Sequence, residues 1–186
     1  MDNPTLIILI VAVAAIAVGG FWYYLKRRTE QLKGRFGPEY QRALNEFGDR
    51  GKAESELERR VKRSNRFAIH DLSPEESNRF AERWRSEQAR FVDEPSKAVM
   101  QAHGLVNEVM KARGYPVSTE FERNAEDLSA DHPVVVQHYR QACDIVARQE
   151  HGQVTTEDLR KAMVHYRALF EELLGVRVNQ TEEVRR

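Results

Sequence analysis

Six histidines and one cysteine carry the readiest chemistry of this chain: His70, His103, His132, His138, His151, His165 and Cys143. A helix offers two ligands to a metal when they stand three or four residues apart on one face. None of the six histidines has a His, Cys, Asp or Glu at either spacing. That argues against helix-borne His-Glu-x-x-His zinc sites and Glu-x-x-His di-iron sites. His138 and Cys143 are five residues apart, about 140° around a helix, and so point different ways. His103 shares an apolar face with Val99 and Val106, the setting of a hydrogen-bonded core histidine. Asp131-His132 reads as a helix-start pair, and Cys143 as a buried structural thiol. No Gly-rich phosphate loop and no Gly-x-Ser-x-Gly elbow occurs. Acid pairs such as Glu157-Asp158 and Glu171-Glu172 fall in a first turn or on a polar face, where helices ordinarily carry them.

These residues assign no catalytic, cofactor-binding or metal-binding position, and the expectation is that the chain is not an enzyme. The remaining enzymatic route is a site assembled from distant helices around His132, His138 and His165, with a carboxylate or thiol beside them. One internal echo exists: His138-Tyr139-Arg140 and His165-Tyr166-Arg167, 27 residues apart. It reads either as a short helix-pair repeat or as chance.

The elements that would hold these side chains begin with an apolar segment. Residues 6–25 contain no charged side chain, and eleven of the twenty are Leu, Ile, Val or Phe. At 1.5 Å per residue they span about 30 Å, the hydrocarbon thickness of a bilayer. Trp22, Tyr23 and Tyr24 sit where amphipathic rings favour the headgroup layer, and Lys26, Arg27 and Arg28 follow at once. A cleaved signal peptide would carry its positive charge on the other flank, where residues 1–5 hold only Asp2. The segment therefore reads as a single-pass transmembrane helix of a cell-membrane protein. Its N-terminus, residues 1–5, is expected outside and everything after it in the cytoplasm, because basic flanks stay inside. Ala12, Ala15 and Gly19 form a small-residue stripe of the kind that brings two spans into a homodimer, although small residues are common in spans generally.

Charge divides the rest. Residues 26–66 hold 13 Lys and Arg against 7 Asp and Glu, whereas residues 67–186 hold 16 against 21. The first stretch reads as a basic juxtamembrane helical stalk, punctuated at Gly34, Gly37, Gly48 and Gly51, with Pro38 in a helix first turn. Lys26, Arg27, Arg28, Arg59, Arg60, Lys62 and Arg63 are the candidates for contact with anionic lipid headgroups. The run at 59–66 also reads as a solvated helix face balanced by Glu54, Glu56 and Glu58. Nucleic acid is the remoter polyanion, since the tether holds the chain at a membrane. A single cysteine rules out an intrachain disulfide.

Residues 67–175 read as an all-α, bundle-like domain. Ser73-Pro74-Glu75-Glu76 is a capping-box start, and Phe80, Trp84 and Phe91 follow on one face. Pro95 opens a helix with Val99, Ala102, Val106 and Met110 aligned. Residues 111–116 make a stop and turn, and a short helix follows over 119–128. Asp131-His132-Pro133 opens the next helix, with Val135, Tyr139, Ala142 and Val146 inward. Thr155 starts the last, in which Leu159, Met163, Tyr166, Phe170 and Leu173 make a 3.6-residue stripe closed by Gly175. Residues 176–186 read as a disordered polar tail.

Several blocks carry a resemblance: Phe80 to Trp84, Arg90 to Pro95, Arg113 to Pro116, Asp131 to Pro133 with His138 to Arg140, and Thr156 to Leu174. Over about 100 residues the chain resembles an uncharacterised bacterial family of single-pass, membrane-anchored proteins with an all-helical soluble domain. The resemblance implies the same architecture and brings no activity, cofactor or functional residue. The function expected is therefore a membrane-tethered interaction or scaffold role with a protein partner. The alternative is an envelope-associated structural role in contact with the lipid bilayer.

Overall fold

The computed structural model describes the backbone of residues 3–175 and the side chains of residues 11–175 other than Glu150. The predicted tail, residues 176–186, lies outside the described residues, as do the side chains of the predicted N-terminal segment, residues 1–5. Among the described residues there are eight α-helices and no strand. They divide into two compact units, residues 1–58 and 59–186, with the boundary inside the third helix.

In the first unit, α1 runs unbroken over Asn3–Phe36. Gly34 lies inside it rather than breaking it, since a single glycine costs a helix only about 1 kcal/mol relative to alanine. The break comes at Gly37, whose φ of 47° few other residues adopt. Pro38 then starts α2 (Pro38–Phe47), which stops at a left-handed Gly48 that donates its N–H to the Leu44 carbonyl. α3 follows over Arg50–Ser64 and absorbs Gly51 in the same way as α1 absorbs Gly34. Leu32, Phe36, Tyr40, Ala43, Ala53 and Leu57 make a small buried core. Within it the Glu54 carboxylate accepts hydrogen bonds from Thr29 Oγ1 (2.8 Å), Tyr40 OH (2.9 Å) and Arg50 Nε (2.9 Å). Burial opposes the charge on Glu54, but those three donors outweigh it and hold the carboxyl below its ordinary pKa.

The N-terminal part of α1 has no such core. Val11, Val13, Ile16, Val18, Phe21 and Trp22 are each about 60–75% exposed. At 100° per residue they point to every side of the helix. Among the described residues, which leave out the side chains of Leu6 to Ile10, no helix is long and apolar enough to cross a membrane.

In the second unit, α4 (Pro74–Arg90) and α5 (Pro95–Ala112) pack together. α6 (Phe121–Ser129) lies on α7 (Val136–Glu150), and α8 (Thr156–Leu173) packs on both α5 and α7. α4 and α8 both start with the reciprocal capping box, Ser73 with Glu76 and Thr155 with Asp158. The predicted stripes are buried: Phe80 and Trp84; Val99, Ala102, Val106 and Met110; and Leu159, Met163, Tyr166, Phe170 and Leu173. Trp84 stacks on Phe170 with ring centroids 4.7 Å apart, which joins α4 to α8.

Two elements differ from expectation. Phe91 caps α4 rather than extending its apolar face, and it is only half-buried. α7 begins at Val136, not at Asp131. The N–H groups of Asp131 and His132 still bond back to the Leu128 carbonyl at the end of α6, so this stretch is a turn between helices. Residues 68–71 form a strap beside Gly114, with His70 N donating to Arg113 O at 3.0 Å. Gly114 has φ +90°, and a Cβ there would lie 2.3 Å from the Ala68 carbonyl oxygen. Arg113 holds the same junction by donating to Leu173 O (2.9 Å) at the end of α8 and to Asp71 (2.9 Å).

Candidate functional site

The apolar stripes of α5, α7 and α8 carry a few polar side chains into the core, and these meet. His103 on α5 places Nδ1 2.9 Å from the Tyr166 hydroxyl of α8, while Asn107, one turn on, reaches His103 Nε2 at 3.0 Å. With the Asn107 amide donating, Nε2 accepts and Nδ1–H donates to Tyr166. Tyr166 in turn donates to Cys143 Sγ on α7 at 3.7 Å. The Tyr139 hydroxyl accepts from Asn124 Nδ2 of α6 at 3.3 Å. Asn124 also ties down the loop before α6 through Ser118 O (2.9 Å) and Ser118 N (2.7 Å). Tyr139, Tyr166 and Asn124 are fully buried.

Burial sets the protonation of every member. It lowers the pKa of His103, which is neutral as a result. It pushes the Cys143 thiol up to about 11 and both tyrosines well above their ordinary range. Burial thus favours the neutral form of each titratable group in this hydrogen-bonded series. A thiol that stays protonated is a poor nucleophile, so the network can fix the register of four helices but is not set up for covalent chemistry.

The three histidines of the assembled-site route do not converge. His132 pairs with Glu172 (Nδ1 to Oε1, 3.0 Å) and lies against the Tyr115 ring. His138 and His165 meet each other seven residues earlier along α8, about 10 Å away by helical rise. Their Nδ1 atoms are 3.0 Å apart, their ring centroids 5.2 Å, and their planes 27° from parallel. The centroid separation exceeds the nitrogen separation by about two ring radii, so the two nitrogens face each other head-on. That is the geometry of an N–H···N hydrogen bond. A metal about 2.0–2.1 Å from each nitrogen would sit well off both lone-pair axes. Among the described residues no group of three or more His, Cys, Asp or Glu could hold a metal ion. The two copies of the internal echo thus pack on each other: the histidines pair, and both tyrosines lie beside His103, with ring centroids 6.5 and 5.6 Å away.

The basic residues singled out for lipid contact part company. In the first unit Lys26 and Arg27 are exposed, whereas Arg28 pairs with Glu58. In the second unit Arg59 and Lys62 are exposed. Arg60 is buried against Glu126 of α6 (3.4 Å) and Arg63 binds Asp127 (2.7 Å), so these two dock the end of α3 onto α6. Sequence reasoning missed the partners Asn107 and Asn124 and the Thr29–Tyr40–Glu54 cluster. Spacing offered one signal for the last: Arg50 and Glu54 stand four apart on the flank of the Ala53–Leu57 stripe.

No protein-family model, curated protein or solved structure matches this chain.

Proposed function

We propose that this chain is a membrane-tethered helical interaction module, anchored by α1 across residues 6–25 with its helical domain on the cytoplasmic face. The observation that carries the reading is the apolar face of α1, exposed on every side from Val11 to Phe21. A helix of that kind needs an apolar surrounding, and lipid supplies one to a helix with no core of its own. The uncharged residues 6–10 complete the length needed for a span. Trp22 to Tyr24 and exposed Lys26 and Arg27 match the order expected at a cytoplasmic interface. Two such anchors meeting at Ala12, Ala15 and Gly19 make the homodimer this reading allows. The likeness to an anchored bacterial family belongs to the same proposal. An adaptor role, rather than an enzymatic one, accords with a core network whose groups stay neutral.

Topology is the first test. A Thr181→Cys variant in a Cys143→Ala background is exposed to a membrane-impermeant thiol reagent. It should stay unlabelled in intact cells and react after lysis. Labelling in intact cells inverts the topology, and recovery of the protein in the soluble fraction removes the anchor. Affinity capture from detergent extract should then return a reproducible protein partner, and the absence of one with full-length and anchorless chains alike counts against an adaptor.

Exposed Lys26, Arg27 and Lys62 favour a second reading, in which the basic collar touches anionic headgroups. A fragment starting at Lys26, which keeps all three, should bind anionic vesicles less as salt rises. Equal binding to neutral vesicles removes that electrostatic contribution.

A further inference from the structure

We propose that His138 and His165 form an acid-sensitive latch on the α7–α8 hairpin, which holds one proton between the rings and gives way when a second arrives. In the neutral pair one Nδ1–H donates to the other Nδ1 across 3.0 Å. A first added proton turns this into a charge-assisted bond between imidazolium and imidazole, which is stronger. A second leaves two N–H groups and two positive charges head-on, and the rings must part.

The surroundings leave this repulsion in place. An open groove beside His165 carries Arg140, Asp144 and Arg148 from α7 and Asp158 and Lys161 from α8. Its carboxylates have other partners: Asp144 binds Arg148 at 3.1 Å, and Asp158 caps Thr155. From α6, Glu122 binds Arg140. From α5, His103 faces the neighbouring tyrosines rather than the pair. Among the described residues neither ring hydrogen-bonds to a carboxylate. His165 accordingly has its pKa lowered, by burial first and by His138 second.

The latch is coupled to the core by chain position. Each histidine is followed at once by the tyrosine that packs on His103, and Tyr166 holds the Cys143 thiol. Parting the histidines loosens α7 from α8 where the only cysteine is buried.

That cysteine reports the opening. The full-length protein in detergent is treated with 4,4′-dithiodipyridine, which reacts with thiols in acid as well as at neutrality. The rate is normalised at each pH to the urea-unfolded chain. Between pH 7.5 and 5 the normalised rate should rise about tenfold, as for an opening linked to roughly one pKa unit of proton binding. His165→Gln keeps a hydrogen-bonding group against His138 without the second charge, so its rate should rise clearly less than the parent's, and His138→Gln should behave alike. Both variants keep His103, so any acid response of that residue is common to all three proteins. A rise in either variant equal to the parent's, or none in the parent, overturns the latch. If neither variant folds, ring-nitrogen NMR of the parent decides: two coupled steps support the pair, and two independent single steps overturn it.

Discussion

The Tyr166 hydroxyl is the best place to test whether the buried network stabilises the fold. In Tyr166→Phe the ring and its packing stay, and only the oxygen leaves. Two contacts then go: the 2.9 Å bond with His103 Nδ1 and the 3.7 Å contact with Cys143 Sγ. Sulfur is a weak acceptor, so the second contributes little. The first leaves a donor stranded away from water, which costs about 1–3 kcal/mol. For a unit of this size that is a fall in Tm of roughly 4 °C per kcal/mol. The chain has two tryptophans. In a Trp22→Phe background, Trp84 in the core becomes the sole tryptophan reporter of urea unfolding. A double-mutant cycle with His103→Leu should show coupling of at least about 0.5 kcal/mol, since the two side chains share one bond. Asn124→Ala acts on Tyr139 instead and should couple less. A Tyr166→Phe cost below about 0.5 kcal/mol, with no coupling to His103, would refute the network as a source of stability.

Buried His103 should weaken the second unit in acid. Its pKa is lower folded than unfolded, so below about pH 6.5 the unfolded chain binds a proton that the fold refuses, and stability falls with pH. Asp127, whose carboxyl burial pushes up to about 6, works the other way as pH falls below that value. Equilibrium unfolding of the parent and of Asp127→Asn at pH 7.5, 6.5 and 5.5 checks this, and a flat response of the variant contradicts it. Glu54 in the first unit has a lowered pKa, so its contribution is complete above about pH 4.5 and is lost only as pH falls below that. Glu54→Ala strands the buried Tyr40 hydroxyl, while Thr29 keeps the Leu25 carbonyl and Arg50 reaches water, and it should cost the first unit about 1–3 kcal/mol, read as faster amide exchange in α2 with α7 unchanged. Gly114→Ala drives a Cβ into the Ala68 carbonyl at positive φ and should cost about 2–4 kcal/mol by thermal unfolding; a neutral effect would mean that the strap over 68–71 is not held there. Trp84→Phe removes a buried indole N–H that has no hydrogen-bond partner, so relief of that donor should offset the lost volume and leave the change within about 1 kcal/mol.

Local rules made much of the architecture readable before any contact was known. The 3.6-residue stripes identified the core faces of α4, α5 and α8, because burying an apolar face is what holds a helix in a fold. The capping boxes at Ser73 and Thr155 and the positive φ at Gly37 and Gly48 are properties of a few adjacent residues, so their sequence signals were sound. The same locality misled where two signals competed. Asp131-Pro133 has the composition of a helix start, but the backbone there still bonds back to α6. Gly34 and Gly51 look like breaks, yet their helices run through them. The apolar character of residues 6–25 and the basic charge after them were likewise complete in the sequence, since hydropathy and side-chain charge need no partner to be read.

Only tertiary packing decided which polar groups meet. His103, Asn107, Cys143 and Tyr166 span 63 residues and three helices, and no spacing rule joins positions that far apart. The His-Tyr-Arg echo showed as a repeat of three letters. That its histidines share one hydrogen bond, and its tyrosines one histidine, follows from the packing of α7 against α8. The basic run at 59–63 shows the same division in one stretch. Its charge was plain in the sequence, but whether an arginine faced water or a carboxylate depended on where α6 lay, and α6 took Arg60 and Arg63. Charge and periodicity belong to the chain, whereas pairing and pKa belong to the space between its helices.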